Sequence, residues 1–266
     1  KAKIEIYKKN YQGTDDIPVN AHPGIRSVSA CYASSELAIR LARIAGARLH
    51  ILHVSTSKEL KLFSNEPLED KNITSEACVA HLLYTLSHYN SLGARIKCNP
   101  AIKRKTDREA LRAAVNSGLI DVIATDHAPP LLSEKDGGAL IAMSGMPMIQ
   151  FSLVSMLGLV DEGIFSLETL VQKMCHAPAQ IYGICRRGYI REGYQADLVL
   201  VRPNSPWEVT SDKILSKCGW SPLEGHTFNW KVEKTFANGH LIYNGDTVDG
   251  TYRGEELRFD YRSSKA

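Results

Sequence analysis

Between Ser27 and Gly46, apolar residues recur at helical spacing at Leu37, Ala38, Leu41, Ile44 and Ala45, and a glycine stands where a helix stop belongs. That pattern predicts one amphipathic helix. The next ten residues, ARLHILHVST, alternate apolar and polar positions and predict a short buried strand. Thr56 and Glu59 then form a T-x-x-E capping box that opens a further short helix. The strand-then-helix order recurs. Ile73 to Ala77 reads as a strand before a helix in the 80s, Thr106 with Glu109 caps a helix ending at Gly118, and Leu119 to Thr125 is an apolar strand run. Such alternation predicts an α/β protein with a parallel sheet or barrel. Pro147 sits at a predicted first helical turn and opens an apolar helix to Val160, and a second helix spans Ser166 to His176. Both are expected on the outside of the sheet.

After about Arg186 the texture changes to β-rich pieces, GYIREGYQADLVLV and VEKTFANGHLIYNGD, broken at Asn238-Gly239 and Asn244-Gly245. A small all-β unit is expected there. At the other end, Lys1 to Asn10 reads as a charged helix with neither initiator Met nor cap, which suits the middle of a longer chain.

Composition narrows the function classes. With 44% hydrophobic and 23% charged residues among 266, disorder and collagen-like structure are excluded. Lys plus Arg exceed Asp plus Glu by 32 to 29, and the charges are scattered, so a small molecule is a better expectation for the partner than nucleic acid. No apolar run approaches the roughly 18 residues of a membrane span, and the first residues lack the apolar stretch of a signal peptide. A soluble cytoplasmic protein is expected. Cysteines 31, 78, 98, 175, 185 and 218 form no CxxC pair, so reduced and mostly buried thiols are expected rather than a zinc knuckle or disulfide framework.

Two positions carry candidate chemistry because a polar, metal-capable residue closes a predicted strand: His53 in LHILHVST and Asp126 in LIDVIATDHAP. At the C-terminal end of a parallel strand, such a side chain projects from a rigid support into the space where α/β proteins bind ligands. Taken singly, each also has a structural explanation, a hydrogen-bonded strand end for the His and a helix cap for the Asp. Of the other histidines, His50 reads as packed against a helix and His22 as a turn residue, His81 as a core residue or a neighbour of the ligands rather than a ligand, and His127, beside Asp126, as a capping or packing residue or a neighbour of a bound metal.

Five segments taken together are more specific. HILHVST, ITSEACVAHLL, RIKCNPAIK, TDHAP and IREGYQADLVLV resemble, in that order, the second half of the bacterial dihydroorotases of the amidohydrolase superfamily, over roughly Pro18 to Asp246. The resemblance implies the C-terminal part of a (β/α)₈ barrel in residues 1–185, about strands six to eight, a small β-sandwich in 186–249 and an extension in 250–266. It implies a zinc-dependent cyclic amidohydrolase interconverting dihydroorotate and N-carbamoyl-L-aspartate in pyrimidine biosynthesis. His53 corresponds to a metal ligand, and Asp126 to the residue that touches metal and serves as general acid/base. Asn99 corresponds to a substrate-binding Asn, and Ile141 and Ala142 to a loop whose backbone contacts the ring.

Two departures accompany the resemblance. The family's two zinc ions also need an HxH pair, a bridging carboxylated Lys or Asp and a further His, all upstream of these motifs, so a missing N-terminal portion is an expected partner and this chain alone is expected to be inactive. Pro130 stands where the family carries a His that helps hold the substrate carboxylate. An anionic substrate needs more than Asn99 to neutralise it, so an Arg from elsewhere is expected. The alternatives are a hydantoinase or allantoinase acting on a differently substituted ring, and a catalytically inactive scaffold of the same fold. A homo-oligomer is a further expectation.

Overall fold

The computed structural model describes residues 2–12 and 15–260. Helix α1 (Ala2–Asn10) matches the charged opening segment and contributes no buried residue. A one-turn helix α2 (His22–Ile25) leads into α3 (Val28–Ala45), which begins and ends as its sequence predicts. Ser27 accepts the Ala30 N–H at 3.4 Å, and Gly46 closes the helix at φ 63°. The buried face of α3 is not the predicted stripe. Ser35, Ile39 and Ala42 are buried, whereas Leu37, Leu41 and Ile44 are exposed, Ile44 at 75%.

Strands β1 (Leu49–Ile51), β2 (Ile73–Cys78) and β3 (Val122–Ala124) form a parallel sheet in chain order. β1 pairs with Ile73 to Ser75 and β3 with Glu76 to Cys78, so each strand is displaced along its neighbour. That stagger is the arrangement of a curling sheet. β1 is shorter than the alternating decapeptide predicts because the chain turns out of the sheet at His53. After β2 come α4 (Val79–Leu83), α5 (Tyr89–Leu92) and α6 (Lys105–Ser117). The predicted Thr106–Glu109 cap of α6 does not form: the N-cap is Arg104, and Glu109 instead bridges Arg108 and Arg112. Gly118 ends the helix at φ 83°, as its position predicts.

Helix α7 (Ser152–Asp161) starts five residues after Pro147. The intervening stretch is held by the loop after β3 instead, since Ile149 N–H donates to His127 Nδ1 at 3.2 Å. The next helix starts as predicted, with Ser166 accepting from Thr169 N–H, but runs beyond His176. Helix α8 (Leu167–Val171) passes through a π turn, Gln172–His176, into α9 (Ala177–Ile181). Pro178 has no N–H for a regular α turn, and the π turn removes the need for one.

The C-terminal β-rich segment forms two small antiparallel sheets. Strand β4 (Leu198–Arg202) pairs with β7 (Lys231–Ala237), which pairs with β8 (His240–Tyr243), and β5 (Trp207–Glu208) pairs with β6 (Thr227–Phe228). Asn238 and Gly239 take the left-handed backbone, φ 49° and 85°, that a two-residue hairpin turn requires. This part shares the main core: Val209, Leu223 and Phe228 pack in one apolar cluster with Leu82, Ile96, Leu111 and Met156. Buried aliphatic side chains of this kind contribute about 1.5–3 kcal/mol each. Near the end, Cys185 N–H donates to Arg258 O and Asp260 N–H to Gly183 O, each at 2.8 Å. Residues 261–266 of the expected extension lie outside the described residues. All six cysteines are free, but only Cys78 and Cys98 are buried, so the thiols are less buried than expected. Among the described residues no helix is long and apolar enough to cross a membrane.

Five of the six β2 residues are buried, and three of them are polar. Each has a partner. The Ser75 hydroxyl donates to Leu119 O at 3.1 Å, and its N–H donates at 2.9 Å to Asp121, which pairs with Lys71 at 2.8 Å, while Lys71 also donates to Gly118 O at 2.7 Å. On the other face, His50 bonds Thr74 Oγ1 at 2.8 Å and Glu76 Oε2 at 3.2 Å. Two other imidazoles brace the segment after α5. His22 Nε2–H donates to Cys98 O at 3.1 Å and His81 Nε2–H to Pro100 O at 3.0 Å. Each Nδ1 is buried without a partner, which suits a neutral ring. His22 is therefore a buried brace and not a turn residue.

Two stability predictions follow from these contacts. Lys71→Met strands the Asp121 carboxylate in the interior and is expected to lower the unfolding free energy by about 3–5 kcal/mol. Adding Asp121→Asn, which removes the orphan charge but keeps an acceptor for Ser75, should recover part of that loss in urea titrations. Burial pushes the His22 and His81 pKa values down from 6.5 to about 4. The unfolded chain takes up protons near 6.5 while the native rings stay neutral, so stability present above that pH is lost as pH falls toward 4. The limit is roughly 3 kcal/mol per imidazole. A His22→Gln, His81→Gln double variant should accordingly show a shallower decline in urea midpoint between pH 7 and 4.5 than the natural sequence.

Candidate active site

His53 and Asp126 leave their strands in the same way. Each lies two residues beyond a strand end, Ile51 or Ala124, and each has a left-handed backbone, φ 43° and 46°. For a residue with a side chain, that conformation costs on the order of 1–3 kcal/mol and persists where the surroundings impose it. At His53 the imposing group is Glu76 on β2. Its carboxylate accepts the His53 N–H at 3.3 Å, and its main-chain carbonyl accepts the Val54 N–H at 2.8 Å. At Asp126 the following residues are pinned: the Ala128 N–H is bonded to Met146 O, and His127 Nδ1 accepts the Ile149 N–H at 3.2 Å. His127 is thus a loop brace.

His53 and Asn99 line one cavity of about 400 Å³, together with Arg26, Ser35, His50 and Glu59. Asn99 is exposed and sits between the two carbonyls held by His22 and His81, so neutral buried rings fix the backbone on both sides of it. Asp126 is exposed and does not line this cavity. It stands near the same segment all the same. Burial pushes the Cys98 thiol up to about 12, and the Asp126 charge adds to that rise. Among the described residues no hydrogen bond or ion pair joins His53 to Asp126.

The loop carrying Ile141 and Ala142 is held by three charged groups. Asp16 accepts the Gly138 and Leu140 N–H groups, the latter at 2.9 Å. Lys97 Nζ donates to the Ala142 carbonyl. Lys135 Nζ donates to Lys97 O, Met143 O and Gly145 O at 3.0, 2.7 and 2.9 Å. Ala142 is buried with its carbonyl committed to Lys97, whereas the Ile141 side chain is exposed. Pro130 is anchored through its carbonyl, which accepts from Trp220 Nε1 at 2.8 Å. Its position is fixed and its side chain has no donor to offer.

Among the described residues, no group of three or more His, Cys, Asp or Glu side chains converges to hold a metal ion. His53 and Asp126 amount to two candidate donors, and a zinc site takes at least three protein ligands. The residues of this chain do not by themselves fit the two-zinc centre implied by the resemblance. Sequence reasoning missed two site residues, Glu76 and Arg26. A lone acid inside the otherwise uncharged strand ITSEAC was a signal for Glu76. Arg26 follows a one-turn helix and carries no local pattern that would single it out. His50, expected against a helix, is hydrogen-bonded within the sheet and makes an edge contact with Tyr182 at the end of α9, ring centroids 6.0 Å apart.

Known proteins share this arrangement of chain. Residues 24–242 match the model of the amidohydrolase family. A dihydroorotase of Halobacterium salinarum is 34% identical over 239 residues, covering 90% of this chain and 55% of that protein. An allantoinase of Bacillus velezensis is 32% identical over 245 residues, covering 91% of this chain and 53% of its own length. The chain spans about half the length of the curated relatives it matches. Among solved structures, the L-hydantoinase from Arthrobacter aurescens superimposes with a TM-score of 0.83 at 24% identity, over 93% of this chain and 56% of that one. The D-hydantoinase from Thermus sp. does so with a TM-score of 0.85 at 18% identity, over 97% and 58%. The parallel α/β sheet, the strand-end His53 and Asp126, and a family match over most of the sequence lead to one conclusion: this chain belongs to the amidohydrolase family.

Proposed function

We propose that this chain is the C-terminal portion of a (β/α)₈ cyclic amidohydrolase with a small β-sandwich after residue 185, and that the whole protein interconverts dihydroorotate and N-carbamoyl-L-aspartate. The observation that carries this reading is the pair of left-handed strand exits at His53 and Asp126, with Asn99 on a braced segment beside them. Strain kept at two polar strand ends in one parallel sheet is a pattern of functional sites and not of packing. A polypeptide outside these 266 residues would extend the sheet beyond β1 and β3. Zinc dependence belongs to the same reading, with His53 and Asp126 each contributing a ligand to ions that other residues complete. So do a place in pyrimidine biosynthesis, a cytoplasmic location and assembly with further copies.

The chemistry asked of this chain is a proton transfer and an orientation. Opening the cyclic amide requires that a proton leave the attacking water and that one reach the departing ring nitrogen. The Asp126 carboxylate, exposed at a strand end, is the group able to take up the first and deliver the second. Asn99 offers a planar amide that can donate to one substrate oxygen and accept from a ring N–H. The Glu76 contacts fix the backbone from which His53 projects. In the whole protein, Asp126→Asn is expected to lower kcat for dihydroorotate by at least about 10²- to 10⁴-fold, the usual contribution of a general acid/base, with an unchanged circular dichroism spectrum. Full activity in that variant would remove Asp126 from the reaction.

A second reading, a hydantoinase- or allantoinase-like enzyme, is favoured by one residue. Pro130 offers no side-chain donor to a substrate carboxylate, and Trp220 holds its backbone in place. Pro130→His therefore tests the side chain alone. If dihydroorotate is the substrate, the new donor should lower KM about 10- to 100-fold, as a hydrogen bond to a charged group implies. No change in KM for dihydroorotate, with faster turnover of hydantoin or allantoin by the natural sequence, would move the second reading ahead.

A further inference from the structure

We propose that a cavity at the far end of the sheet from His53 and Asp126 binds an oligophosphate anion, read by the guanidinium groups of Arg48, Arg186 and Arg191. This site goes beyond the cyclic amide reading and does not depend on it, since none of the three arginines lines the cavity of His53 and Asn99.

The placement comes from where the strands begin. Arg48 immediately precedes β1 and Lys71 lies two residues before β2, whereas His53 and Asp126 follow strand ends. With the segment between α9 and β4, which brings Arg186, Arg187 and Arg191, they line a cavity of about 520 Å³. That volume is in the range of small-molecule sites and exceeds what one phosphate fills. Two of the guanidinium groups are held in advance. Arg48 Nη2 donates to Ile181 O, at the end of α9, at 3.4 Å. Arg191 lies 4.3 Å from the centroid of the Tyr189 ring, whose other face is covered by the His176 ring at 4.1 Å. Arg186 has a left-handed backbone, φ 51°, and is pinned there: its carbonyl accepts the Gln195 N–H at 2.9 Å, and the Cys185 N–H before it donates to Arg258 O at 2.8 Å. A residue with a side chain keeps that conformation where its surroundings impose it, as ligand clamps do.

Positive charge is in excess. The five cations named above line the cavity against two acids, Glu69 and Asp260. Lys71 and Arg187 are neutralised by carboxylates that do not line it, Asp121 and Asp197. Among the described residues, no carboxylate forms an ion pair with Arg48, Arg186 or Arg191. The excess reaches the neighbouring ring, since the His176 pKa, lowered chiefly by burial, is lowered further by the Arg191 charge. Three forks of donors around one cavity suit a ligand with anionic oxygens on adjacent centres, and a guanidinium matches phosphate in bidentate geometry. A single carboxylate would leave two of the forks unpaired. Both faces of the Tyr189 ring are covered, so the phosphate chain and not a stacked base is the part recognised here.

Calorimetric titration of the whole protein with tripolyphosphate, ATP and sulfate, without divalent cations, tests the assignment. Tripolyphosphate is expected to bind at least about 10-fold more tightly than sulfate, with ATP within about fivefold of it, and both more weakly as salt rises. Sulfate binding as tightly as tripolyphosphate overturns the proposal, and so does ATP binding without tripolyphosphate binding, which would make the site one for a nucleoside. The double variant Arg48→Gln, Arg191→Gln is expected to weaken tripolyphosphate about 10- to 100-fold, whereas Arg26→Gln, at the other end of the sheet, should leave it within about twofold. No loss in the double variant, an equal loss in Arg26→Gln, or no binding by the natural sequence overturns the site. If the double variant fails to fold, Arg48→Lys with Arg191→Lys decides: it keeps the charges and loses the forks, so unchanged affinity overturns bidentate recognition.

Discussion

A strand buried on both faces cannot carry polar side chains unless each finds a partner, and β2 carries three of them. Thr74 and Glu76 are satisfied by His50 on β1, and on the other face the Ser75 hydroxyl donates to Leu119 O while Asp121, just before β3, takes the Ser75 N–H. Those bonds tie the three strands into one unit beyond what the short ladders supply. They also set the direction in which the chain leaves β1, because the Glu76 carboxylate and carbonyl take consecutive N–H groups at His53 and Val54. The same carboxylate that would be costly alone in the interior becomes the clamp for a strained turn.

Around this sheet, long-range electrostatics does what secondary structure does elsewhere. The irregular loop from Gly137 to Gly145 has few backbone partners of its own, and buried lysines with one carboxylate replace them. Lys135 and Lys97 collect carbonyls, and Asp16 collects N–H groups. Burial holds the Lys135 pKa down to about 8, so packing works against the charge that these carbonyls solvate. The loop's shape depends on residues 97 and 16, far from it in sequence, which is why an exposed Ile141 and a buried Ala142 can sit side by side.

The α/β class, the terminal residues of α3 and the glycine end of α6 were legible because caps and stops act over three or four residues. So was the strand-end location of His53 and Asp126. The α6 cap and the start of α7 were not, for one reason in both cases. Glu109 pairs with arginines on its own helix instead of reaching back to Thr106, and the stretch after Pro147 is held at Ile149 by His127 of the loop after β3. Local propensity was outweighed by partners that the local pattern cannot name. His22 is the same kind of case, a turn residue by its neighbours and a buried brace by its carbonyl 76 residues away.

By itself, then, the sequence determined the periodicities, the order of elements and the family, since hydrophobic spacing and short motifs are properties of neighbouring residues. Tertiary structure alone decided which face of α3 is buried, that His53 is held left-handed by Glu76, and that Arg26 shares a cavity with His53 and Asn99. These bring together residues 23 to 73 positions apart, when helices and strands pack and buried polar groups take the partners within reach. No pattern within a single element encodes such a meeting.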